Sequence, residues 1–69
     1  MSVEPSQLEG ALVALQTGFI DEFHFVTNTR FDNSTKTNVD EINRRIETYN
    51  SDPSLFDIVP IELFEGVAV

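Results

Sequence analysis

The sequence predicts a small α+β domain with elements in the order α-β-α-β. Three observations carry this reading. Apolar residues recur at helical spacing in two separate stretches, Leu8–Ala11–Leu12–Leu15 and Val39–Ile42–Ile46–Tyr49. Two other stretches, "FIDEFHFVT" and "IVPIELFE", are dominated by aromatic and β-branched residues. Gly18, the polar run at 28–37 and Pro53 punctuate the chain between them.

The first helix starts at "SQLE". Ser6 and Glu9 have the spacing of a capping box, in which each side chain satisfies the other's free amide. Leu8, Ala11, Leu12 and Leu15 then form one stripe, and Gly18 supplies a left-handed stop. Gly10 inside the helix costs about 1 kcal/mol against alanine. It marks either a close backbone approach or a weak helix start.

A strand is predicted over residues 19–27. Phe23 and Phe25 form its core face, and Glu22, His24 and Val26 alternate with them on a semi-polar face. Residues 28–37 read as a loop. Asn38 and Glu41 form a second capping pattern, opening a helix of about 12 residues on the spacing of its seam. Asp40–Arg44 and Glu41–Arg45 are i, i+4 pairs with the acid leading, each contributing about 0.2 to 0.5 kcal/mol. A helical turn at 53–57 precedes a second strand over residues 58–65. There Val59, Ile61 and Leu63 take one face, and Ile58, Glu62 and Phe64 the other. Pro60 lacks an amide, so that strand is at an edge or bulged. The second helix gives enough chain for a parallel crossover, and the loop at 28–37 also permits antiparallel pairing. Either way, two strands make a poor sheet, whose open edges a partner or second subunit would complete.

With 69 residues the chain is a single domain spanning 1–69. A domain of this size buries only about 60% of its unfolded surface and usually needs a staple. Cysteine is absent and histidine occurs once, which excludes disulfides, thiolate metal sites and a His-rich zinc site. A partner chain, or homo-oligomerisation, is the staple that remains. No stretch approaches the roughly 18 apolar residues of a membrane span. The first ten residues lack a basic segment followed by an apolar run, so the expected compartment is the cytoplasm. On that expectation the glycosylation sequon Asn33-Ser34-Thr35 is a chance match.

The net charge is −8, and its distribution is uneven. Residues 1–29 and 46–69 carry acids and no base, and all four bases (Arg30, Lys36, Arg44, Arg45) fall between them. If the first helix and the tail lie together, one side of the fold is almost purely anionic. Such a surface keeps a small domain soluble, and it also matches a basic partner protein. It disfavours direct contact with nucleic acid, whose phosphates are bound by lysine and arginine.

No catalytic, nucleotide-binding or metal motif stands out, and no cofactor is expected. Glu22 and His24 share a strand face and could act as an acid–base pair, but no nucleophile is placed beside them by any local pattern. The stretch from Asp32 resembles a calcium loop only at its start. Its sixth position is Thr37 and its twelfth Asn43, where glycine and glutamate are needed. The predicted function is therefore non-enzymatic: an inhibitor or adaptor that masks a basic surface of a partner. Glu22, Asp57, Glu62, Phe64 and Glu65 are its candidate contact residues. Viral antagonists of nucleic-acid-handling machinery share this compositional profile, which is analogy only. The second reading is a structural subunit of a homo-oligomer or larger assembly.

Overall fold

Helix α1 spans Pro5–Gln16. The computed structural model in which it is seen describes residues 2–67. Its capping box lies two residues before the expected one. The N-cap is Glu4, whose N–H donates to the Gln7 side chain at 2.9 Å. Pro5 explains the shift: its fixed φ suits the first helical position, where no amide bond is lost. Leu8, Ala11, Leu12 and Leu15 are all buried, as the spacing predicts. Gly10 does not mark a close approach, because nothing lies within 4 Å of where its Cβ would be. Gly18 ends the helix with φ 73°.

Strand β1 is His24–Val26, much shorter than the predicted 19–27. The amides of Phe19 and Ile20 both donate to Ala14 O, at 3.0 and 3.3 Å. They close the end of α1 and are not free for a ladder. Phe19 is left 88% exposed.

Helix α2 spans Asn33–Asn50 and begins five residues before the expected Asn38. Asp32 is its N-cap, accepting from the Thr35 amide at 2.8 Å and the Ser34 hydroxyl at 3.1 Å. Apart from Lys36, residues 33–37 are weak helix formers, but Thr35 is fully buried. Its Oγ1 accepts from Val3 N–H at 2.9 Å and ties the start of the chain to α2. Val39, Ile42 and Ile46 form the expected buried seam, and Tyr49 packs at its end.

Strand β2 is Glu62–Phe64, parallel to β1, with His24 opposite Glu62, Phe25 opposite Leu63 and Val26 opposite Phe64. The elements follow the order α1-β1-α2-β2 around a two-stranded sheet. The ladder extends past the strand ends through Thr27 N–H to Phe64 O at 2.9 Å and Val67 N–H to Thr27 O at 3.1 Å. Residues 58–61 lie outside the ladder because α2 holds them instead. Asn43 accepts from Ile61 N–H at 2.8 Å and donates to Ile61 O at 2.9 Å. Asn50 does the same for Ile58, both bonds at 2.8 Å. Seven helical residues rise about 10.5 Å, and three extended residues advance about 10 Å. The two asparagines therefore match the two isoleucines, with the segment antiparallel to α2. Ile58 and Ile61 are thereby seated side chain inward in the core.

The predicted separation of charge is only partly realised. Arg45 does not pair with Glu41. It crosses to Glu9 of α1 in an exposed ion pair. Lys36 pairs with Glu65 of the tail at 3.4 Å. Bases of the central segment thus interleave with both acidic segments.

Candidate functional site

Strand alternation splits the sheet into two faces. Phe25 and Leu63 are half-buried and, with Phe23, pack on the core. Phe23 and Phe25 meet edge to face, ring centres 4.9 Å apart. The other face carries His24, Val26, Glu62 and Phe64, all exposed. No helix covers it: α1 packs with α2 on the opposite side of the core residues. Val26 and Phe64 remain 43% and 41% exposed, large fractions for side chains in register on a sheet.

A depression of about 120 Å³ opens on this face, lined by Glu22, His24, Val59, Pro60, Glu62 and Phe64 among others. Three of the five predicted contact residues, Glu22, Glu62 and Phe64, are brought together here. Two carboxylate residues line it together with apolar ones, and no lysine or arginine does. The His24 imidazole packs edge-on against Phe64, centres 5.3 Å apart and planes at 87°. That contact follows from the register, since Phe64 lies two residues beyond Glu62, the partner of His24. None of the lining residues carries a hydroxyl or thiol, so His24 and Glu22 have no nucleophile beside them in the depression.

The other two predicted residues lie elsewhere. Asp57 is exposed and precedes Ile58, outside the depression. Glu65 has no base near it in sequence, but the fold brings one to it. Its carboxylate accepts from Phe31 N–H at 2.8 Å and pairs with Lys36. The Phe31 amide is the main cause that holds its carboxyl below the usual range; desolvation opposes it, and Lys36 and the Arg30 charge add smaller lowering effects. Gly66, with φ 66°, turns the chain directly after it. Glu65 is thus an internal anchor for the loop that carries buried Phe31.

Larger depressions of about 460 and 420 Å³ run along α2. The first is lined by Asp40, Arg44 and Glu47 beside Asn43 and Asn50, whose amides are already engaged with backbone. The second is lined by Gln16, Arg44, Arg45, Thr48 and Tyr49. The first has mixed charge; the second is lined by two arginines and no acid, and one of these, Arg45, is already paired with Glu9. Among the described residues, no group of three or more histidines, cysteines or carboxylates is placed to hold a metal ion. No helix among them is long and apolar enough to cross a membrane.

Val59, Pro60 and the two asparagines were not among the predicted site residues. The asparagines had a signal: Asn43 and Asn50 are seven apart, so they share one helical face beside the apolar seam. Comparison with known protein families, characterised proteins and solved structures returns no match.

Proposed function

We propose that this chain is a small, acidic, non-enzymatic interaction protein that masks a basic surface of a partner protein, in the manner of an inhibitor or adaptor. The observation that carries the reading is that Glu22, Glu62 and Phe64 line one depression at the uncovered face of the sheet. Carboxylates there attract and orient a basic partner, and the exposed apolar groups supply area to bury. The net charge of −8 adds long-range steering. A cysteine-free chain suits a reducing, cytoplasmic setting, and a viral antagonist is one role that fits the composition.

The test is cross-linking in native cell extract, followed by association kinetics with the purified cross-linked protein. The Glu22→Gln, Glu62→Gln double variant should associate more slowly and with a flatter salt dependence than wild type. A rate indifferent to both salt and substitution would remove the basic-surface reading. A structural-subunit role is the second reading, favoured by a sheet of only two strands. Sedimentation separates the two: a monomer at micromolar concentration supports the binder, and a fixed oligomer supports the subunit.

A further inference from the structure

The sheet has two outer edges, and they are not equivalent. On the β2 side, the chain leading into the strand is already covered, since Asn43 and Asn50 occupy the N–H and C=O of Ile61 and Ile58, which leaves Leu63 as the one residue of β2 with outward backbone groups. On the β1 side, parity decides which groups are free. In a parallel ladder, alternate residues of a strand direct both backbone groups to one neighbour. Thr27 N–H bonds to Phe64 O, so Thr27 and Phe25 face β2. The backbone groups of His24 and Val26 therefore point to the outer edge. No side chain or turn among the described residues bonds to them. The acidic depression is adjacent, since His24 and Glu22 line it.

We infer that the outer edge of β1 takes up an extended, basic segment of the partner as a third strand, with one lysine or arginine side chain reaching across His24 into the depression between Glu22 and Glu62. The inference rests on the proposed masking of a basic surface and specifies how it occurs. Main-chain bonds to His24 and Val26 supply the pairing, and side-chain pockets supply the choice of sequence. An added strand lies about 4.8 Å from β1, within reach of a long basic side chain. Its aliphatic stem would lie on Phe64 and Val59 while its charge meets the carboxylates. Charge complementarity selects this occupant over a second copy of the chain, because two copies would bring together two bodies of charge −8.

The probe is a blocked peptide of alternating lysine and valine, compared with the same peptide N-methylated on alternate residues and with a glutamate–valine peptide. Binding is followed by amide chemical shifts and hydrogen exchange of the full chain. The lysine peptide should bind, weaken at least tenfold in raised salt, and protect the His24 and Val26 amides. N-methylation should weaken it at least tenfold, and the glutamate peptide should not bind. Val26→Pro removes one outward N–H and leaves the bonds to β2 in place, so it should fold and lose the peptide. If Val26→Pro does not fold, the N-methylated peptide gives the same answer on the natural chain. Salt-sensitive binding that ignores N-methylation and Val26→Pro would overturn strand addition and leave the basic-surface reading standing. No lysine-peptide binding at all would overturn both. A dimer in sedimentation that Val26→Pro dissolves would overturn the inference in favour of a second copy.

Discussion

Asn43 and Ile61 exchange two hydrogen bonds, amide to amide, across 18 residues of sequence. The side chain of Asn43 thus does for Ile61 what a neighbouring strand would do. Removing it leaves a part-buried donor and acceptor without partners, which costs about 1 to 3 kcal/mol. Asn43→Ala should therefore shift the urea midpoint down by a corresponding amount. Asn43→Asp keeps the acceptor and loses the donor at neutral pH. It should be destabilised at pH 7 and recover toward wild type as its carboxyl protonates. A midpoint unchanged in both variants would show that the pair contributes nothing.

Ile46 lies at the centre of the α2 seam and is fully buried. Ile46→Ala should cost about 2 to 5 kcal/mol through lost transfer energy and the cavity left behind. In a domain this small, that approaches the whole stability. Circular dichroism should show a large drop in Tm or an unfolded chain at room temperature.

Gly10 gives the opposite expectation. It is in the interior of α1, and a methyl group there would meet nothing within 4 Å. Gly10→Ala should stabilise the protein by about 1 kcal/mol by restricting the unfolded chain and favouring the helix. A fall in the urea midpoint would mean that the face is covered in solution.

Asp32 links stability to acid. The Thr35 hydroxyl and amide lower its pKa from 3.8 to about 2; desolvation opposes them, and Ser34 and Ser2 give smaller help. A carboxylate with a lowered folded pKa binds its proton more readily in the unfolded state. Its stabilisation is therefore complete above about pH 4 and is lost as pH falls toward 2. Asp32→Asn keeps a good cap and has no carboxyl to titrate. The variant should show a shallower loss of Tm between pH 4 and 2 than wild type. Parallel curves would show that the cap does not couple to protons.

Glu62 and Glu65 should separate into different roles despite their proximity. Glu62 lies on the exposed face and lines the acidic depression. Glu62→Gln should leave Tm unchanged and slow association with a basic partner. Glu65 holds the Phe31 amide and Lys36. Glu65→Gln should lower Tm, and the loss should grow less marked as acid protonates Glu65 in the wild type. Equal effects of the two substitutions on both readouts would contradict the assignment. His24→Ala should leave the fold intact, because its ring contact with Phe64 is at the surface.

The helices were legible because apolar spacing reports burial directly, and the stripes at Leu8 to Leu15 and Val39 to Ile46 needed no tertiary knowledge. The start of α2 was hidden because Asn33, Ser34 and Thr35 carry turn propensity. A buried bond from Val3 to Thr35, 32 residues away in sequence, overrides it. Both strands were read too long for one reason. Phe19 and Ile20 are bulky enough for a strand, but their amides close α1; Ile58 and Ile61 are equally strand-like, but asparagines hold them. Propensity reports what a side chain tolerates, and not which partner its backbone finds. The candidate site was legible as far as alternation reaches, which places Glu62 with Phe64 and Glu22 with His24. The meeting of those two pairs follows from the parallel register, a long-range fact. The pairing of Glu65 could not be read, because Lys36 is distant in sequence and close in space.

The paired asparagines make the segment between Ile58 and Ile61 behave like a ruler laid along α2. Val59 and Pro60 are both exposed, so the clasp itself leaves their identities open. It fixes their number. One inserted residue would carry Ile61 about 3.3 Å past Asn43 and break its two bonds, while Ile58 stayed clasped by Asn50. One deleted residue would have the mirror effect. Homologous chains should therefore preserve the interval whichever residues stand at these two positions. The seven-residue interval on the helix should change only together with it.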